Sequence, residues 1–144
     1  MSELVVLAFI AGRMVAIPAA AVHSVIDIDA IVPVPRAPAH VAGLTALRSR
    51  ALTVIDTAVV IGAIGGGSAL GERAIVVKHA GHDYALLVEA VSDVVATNGS
   101  TSPAPSNIGH GWQCVARGLV ETDRGPALLV DPAALLAPDS ELAA

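Results

Sequence analysis

Apolar residues in this chain fall in short runs broken by glycine, proline or charge, and the runs have the length of strands. Leu4–Ile10 and Met14–Ile17 are two such runs joined around Gly12-Arg13, a hairpin signal. Pro18 ends the pairing of the second, and Ala19–Val22 predicts one helical turn with proline near its start. Val22, Ile26 and Ile28 carry the apolar pattern into a third strand. The segment 32–38 cannot be a central strand, because Pro33, Pro35 and Pro38 remove three backbone donors. Val41–Leu47 and Ala51–Ile55 form the next pair, around Arg48-Ser49-Arg50. Asp56 then has the position of an N-cap for a short helix, Thr57–Ile61, closed by Gly62.

The pattern then repeats. Strands are expected at Ala74–His79 and Tyr84–Val88, with the turn at Gly81-His82-Asp83, and at Ala90–Ala96. A polar loop is expected over Thr97–Gly111, then strands at Val115–Glu121 and Ala127–Val130. Asp131-Pro132 starts a last helical turn, Ala133–Leu136. A shift of 69 positions lays Ala11-Gly12 on Ala80-Gly81, Ala21-Val22 on Ala90-Val91 and Val25 on Val94. A shift of 75 lays Gly43-Leu44 on Gly118-Leu119 and Val54-Ile55-Asp56 on Leu129-Val130-Asp131. Such a repeat predicts one supersecondary unit duplicated, with the copies packed together. The expected fold is all-β: about ten short strands in two sets of five, each set closing into a small barrel with one or two short helical turns. The barrels are expected over 4–61 and 72–137 of one domain (1–144), with a Gly-rich linker at 62–71 and a flexible tail at 138–144.

Composition narrows the function. Thirteen acids outweigh eight basic residues for a formal net charge of −5, and only Phe9, Tyr84 and Trp112 are aromatic. Nucleic-acid binding needs a basic footprint and stacking faces, and this chain offers neither. Cys114 is the only cysteine, so no internal disulfide is possible, and a reducing, cytoplasmic compartment is expected. Glu3 precedes the first apolar run and Arg13 separates it from the second, unlike a secretory signal. No run reaches the roughly 18 to 20 apolar residues that span a bilayer as a helix.

No catalytic set emerges. Gly65-Gly66-Gly67-Ser68 lacks the lysine and the strand–turn–helix setting of a phosphate loop, and there is no Gly-x-Ser-x-Gly elbow. Asp56 and Asp131 occupy equivalent positions, but each precedes a short apolar helical segment and is expected to cap it. His79, His82 and Asp83 give the one spacing resembling a metal half-site, the basis of an alternative reading as a metal- or small-molecule-binding β-barrel. The symmetry is broken at the Arg48-Ser49-Arg50 turn, where copy two has Asp123 and Gly125. Arginine in that position suits an anchor in a protein interface.

Taken in order, these residues resemble the CheW-type coupling domains. Gly43, Leu47-Arg48 and Val54-Ile55-Asp56 look like that family's glycine, Leu-Arg-Gly turn and Val-Asp segment. Ile17-Pro18, Ile31 to Pro38, Leu87 to Val94, Gly118-Leu119 and Leu129-Val130-Asp131 resemble its other segments over some 130 residues. Ser49 stands where the family prefers glycine, and Ser24 replaces a frequent acid. The resemblance implies a pair of five-stranded SH3-like barrels in a cytoplasmic, non-enzymatic adaptor without cofactor or metal. Its partners would be chemoreceptor cytoplasmic hairpin tips and the regulatory domain of a CheA-type histidine kinase, in membrane-associated arrays. It also implies receptor coupling through Gly43, Leu47 and Arg48, and a kinase-facing surface around Val22, Val25, Ile26 and Ile28.

Overall fold

The structure is a computed structural model that describes residues 3–62, 73–97 and 101–136. The expected linker and tail lie outside the described residues, apart from Gly62. The first half contributes β1 (Glu3–Ile10), β2 (Arg13–Pro18), a 3₁₀ turn (Ala19–Ala21), β3 (Val22–Asp27), β4 (Val41–Leu47), β5 (Arg50–Asp56) and α1 (Thr57–Val60). The second contributes β6 (Arg73–His79), β7 (His82–Val88), β8 (Ala90–Thr97), β9 (Thr101–Ser102), α2 (His110–Val115), β10 (Ala116–Thr122), β11 (Gly125–Val130) and α3 (Pro132–Leu136). The all-β class is as expected.

The sheets do not coincide with the halves of the sequence. One has five strands in the order β3-β6-β7-β5-β4, and the other has six in the order β8-β1-β2-β11-β10-β9. Each half therefore gives its leading hairpin to the other's sheet: β6–β7 inserts between β3 and β5, while β1–β2 inserts between β8 and β11. The exchange is sealed by two short parallel pairings, Val54 opposite Ala85 and Leu128 opposite Val15. Barrels over 4–61 and 72–137 are therefore not the units that form. Nor do the sheets close among the described residues: β3 and β4 are edges of one and β8 and β9 of the other, an open form of the SH3-like arrangement.

Local chemistry explains the exchanged hairpins. Ala11 and Gly12 have φ of 50° and 78°, and Ala80 and Gly81 have 52° and 83°, so both two-residue turns use the left-handed pair that matches strand twist. Both hairpins are buried on two faces. Val6, Ala8, Ile10, Ile75 and Val77 face the main core between the sheets, with Leu86, Trp112 and Leu135. Their neighbours Ala74 and Val76 join a second cluster with Leu52, Val54 and Leu87, while Val5 and Leu7 join a third with Ala16 and Val120. Two-sided burial is why these strands read as unbroken apolar runs. Each fully buried Val, Leu or Ile contributes roughly 1.5–3 kcal/mol.

The pseudo-symmetry reaches the backbone. The Asp56 N–H donates to the His40 carbonyl at 2.8 Å, and the Asp131 N–H donates to the Val115 carbonyl at 3.1 Å. Both aspartates cap as expected: Asp56 Oδ1 accepts from the N–H groups of Ala58 and Val59, and Asp131 Oδ1 from that of Ala133. Two elements depart from expectation. The loop 97–111 contains the two-residue strand β9 and the first residues of α2, whose cap, Gly109, has no capping side chain.

Candidate functional site

The β4–β5 turn is a tight two-residue turn in which Leu47 faces Arg50 across the ladder. Its central residues, Arg48 and Ser49, have φ of 52° and 70°. Left-handed backbone at two non-glycine positions costs roughly 1–2 kcal/mol each, and such strain collects at functional sites. Arg50 Nη2 lies 2.7 Å from Asp83 Oδ2, and the Asp83 side chain is only 9% exposed. This pair fastens the turn to β7.

On the same side as this pair a groove of about 370 Å³ separates the turn from edge strand β3. His23, Ser24, Val25 and Ile26 form one wall, and Leu47, Arg48, Arg50 and Leu52 the other. Val76 and Asp83 complete it. Val25 stands 40% exposed, a large apolar side chain open to contact. Arg48 is exposed and has no ion-pair partner among the described residues. Its lining mixes the apolar Val25, Ile26, Leu47, Leu52 and Val76 with the Arg50–Asp83 pair, His23, Ser24 and the exposed cation of Arg48.

Of the residues singled out from sequence, the structure brings Val25, Ile26, Leu47 and Arg48 to this one groove. It does not bring the other three. Val22 packs against the inter-sheet core, and Ile28 is buried in the second cluster. Gly43 is buried with φ of 150°, and an added Cβ would come within 3.0 Å of the Val32 carbonyl and the Ile31 side chain. Sequence reasoning missed Arg50 and Asp83 as a pair. A signal was there: the shifts place Asp83 on Met14 and Arg50 on Gly125, so the two charges are absent together from the other copy.

His79 and His82 do face each other across the β6–β7 hairpin. The carboxylate that would have joined them, Asp83, is held by Arg50 instead. Among the described residues no group of three or more His, Cys, Asp and Glu gathers as metal ligands. A second buttressed carboxylate lies elsewhere: Asp131 accepts from Arg117 Nη2 at 2.7 Å and Nε at 3.3 Å. That hydrogen bond from Arg117 holds the Asp131 carboxyl below its ordinary pKa. Burial opposes the shift, and the Ala133 N–H and the nearby charges of Arg117 and His79 reinforce it.

Among the described residues no helix is long and apolar enough to cross a membrane. The family model for the CheW-like domain matches residues 4–139. Fifteen chains of solved structures match significantly. One of them, the scaffolding protein TtCheW from Thermoanaerobacter tengcongensis, is 25% identical with a TM-score of 0.79, and the match covers 94% of this chain and 88% of that one. No curated protein matches significantly.

Proposed function

The chain belongs to the CheW-like domain family, and from that membership we propose that it is a non-enzymatic scaffold that couples chemoreceptor tips to a CheA-type histidine kinase. Fold alone does not assign such a role. The observation that carries the reading is the groove, where Val25 and Ile26 of β3 meet Leu47 and Arg48 of the β4–β5 turn. Exposed apolar side chains beside an available arginine have the make-up of a protein contact surface, where apolar area and arginine dominate the energy. The Val25–Ile26 wall seats the kinase's regulatory barrel, and the Leu47–Arg48 rim meets the receptor hairpin. Gly43, Val22 and Ile28 act beneath that surface and hold its backbone in place. The protein works in the cytoplasm, recruited to membrane-associated receptor arrays.

Co-purification with a CheA-type regulatory domain and a receptor cytoplasmic fragment tests this. Arg48→Asp is expected to lose receptor pull-down, and Val25→Asp to lose the kinase domain, each with an unchanged circular dichroism spectrum. Retention of both partners by both variants would remove the groove from the interface. Failure of the unmodified chain to hold either partner would remove the function.

A further inference from the structure

The turn of the β6–β7 hairpin carries two histidines on one rung. His79 pairs with His82 across the ladder, at the last rung before Ala80-Gly81. Both turn residues take left-handed backbone, so the turn is tight and the rung is fixed. Residues directly opposite in a ladder share a face, with Cβ atoms roughly 4.5–5.5 Å apart. Alternation along the strands puts His79 and His82 on the face of Val77 and Tyr84, and Lys78 and Asp83 on the other. Both histidines are exposed, and among the described residues neither makes a hydrogen bond or a salt bridge. Asp83 is held by Arg50. The carboxylate near the pair is Asp131, at the head of α3, whose pKa the His79 charge helps to lower. The equivalent rung of the β1–β2 hairpin pairs Ile10 with Arg13. There Ile10 is buried and Arg13 lies over the Trp112 ring at 5.4 Å, so the two hairpins present different chemistry at one position.

We propose that His79 and His82 form a two-histidine clip for a divalent transition-metal ion of the zinc class, with water filling its other positions. Neutral imidazole is a preferred ligand of such ions, at metal–nitrogen distances of about 2.0–2.1 Å. Two imidazoles on a fixed rung can each turn one nitrogen to a common ion, and once the first has bound, the second meets the ion at high effective concentration. Among the described residues no third His, Cys, Asp or Glu joins them. Structural zinc sites are closed by four ligands and catalytic ones usually by three, so a clip of two holds an exchangeable surface ion. Asp131 adds negative charge to the field and no bond, because its oxygens already accept from Arg117 and the Ala133 N–H. The rung exists only in the folded hairpin, so the ion stabilises the folded chain. Neither histidine lines the groove beside β3, and the clip stands apart from the coupling role and does not rest on it.

The test titrates zinc chloride into the full chain in a buffer that does not chelate, at about pH 7.5, above the ordinary imidazole pKa. Calorimetry should show one ion taken up per chain. His79→Ala and His82→Ala should each weaken that uptake by about tenfold or more, since a single imidazole then binds alone. Zinc should also raise the Tm of the unmodified chain and leave that of either variant where it was, a measure of binding to the folded state. Both positions are exposed, and circular dichroism confirms that the variants keep the fold. No uptake by the unmodified chain overturns the proposal. Uptake that persists undiminished in His79→Ala and His82→Ala overturns it as well, because the ion then sits elsewhere. No kinase or receptor takes part, so these outcomes are independent of the co-purification result.

Discussion

Val32 and Gly43 are fitted to each other: the Val32 carbonyl lies where a side chain at position 43 would begin. The contact is locked by two backbone hydrogen bonds, Val32 N–H to the Leu44 carbonyl at 2.8 Å and Leu44 N–H to the Val32 carbonyl at 2.9 Å. The second half repeats the device, with Gly118 under Ser102 and β9 paired to Leu119. A glycine here keeps the proline loop on the open edge of β4, where unpaired backbone would otherwise invite aggregation.

Gly43→Ala should therefore destabilise the fold by about 1–3 kcal/mol, because the clash is with backbone and the φ of 150° disfavours a side chain. Chemical denaturation measures it. If Gly43→Ala unfolds at the same denaturant concentration as the unmodified chain, the packing account of this glycine is wrong. If it is destabilised as expected, any loss of partner binding in that variant reports on the loop and not on direct contact.

Ser49 offers the opposite case. At φ of 70° it occupies the position where the resembled family prefers glycine, in a turn that needs left-handed backbone at both central residues. Ser49→Gly should raise stability by about 0.5–1 kcal/mol, since the relief of roughly 1–2 kcal/mol is offset in part by the greater freedom of glycine when unfolded. An unchanged or lower midpoint in denaturant would mean that the turn is not strained at this residue.

Acid sensitivity should trace partly to Asp131. Its folded pKa lies below the ordinary 3.8, chiefly through the Arg117 hydrogen bond. A depressed carboxyl contributes stability that is present above the unfolded pKa and lost as pH falls through the folded one. Arg117→Ala should accordingly lower Tm near neutral pH, and the difference from the unmodified chain should vanish as pH drops below that folded value. The side chain is 33% exposed, so the effect is screened and small. A difference that persists undiminished in strong acid would show that Arg117 acts through packing alone.

Much of this architecture is legible in the residues. The observed bounds of Val41–Leu47 are the expected ones, because Arg48-Ser49 and the preceding prolines mark its limits. Asp56 and Asp131 declare themselves as caps by the apolar segments that come after them. The helix at His110–Val115 is not legible, since it starts from Gly109 without a capping side chain and carries a glycine within its first turn. That Gly111 has a packing reason visible only in three dimensions: a Cβ there would overlap the backbone of Ile61. In the candidate site Arg48 stands out because the copies differ at it, whereas Asp83 groups by spacing with its neighbours His79 and His82. Its true partner, Arg50, is distant in sequence, and only the placement of β7 beside β5 brings them together.

The exchange of hairpins is also hidden from sequence, for a reason that yields the last prediction. Similarity between copies says that β1–β2 and β6–β7 are equivalent, so each fits either sheet equally well by pattern. The structure resolves the choice in favour of exchange, which leaves neither half with a sheet of its own. Without β6–β7, strands β3 and β5 have no partner between them, and the main core loses Ile75, Val77, Leu86 and Val88. A protease site inserted between residues 62 and 73 should thus be cleavable without separating the pieces. The cut protein should elute as one species in gel filtration, dissociate only in concentrated guanidinium, and yield isolated halves without native circular dichroism. Half-size species that part under native conditions and keep a folded spectrum would mean that each half completes its own sheet, and the interlocked topology would be refuted.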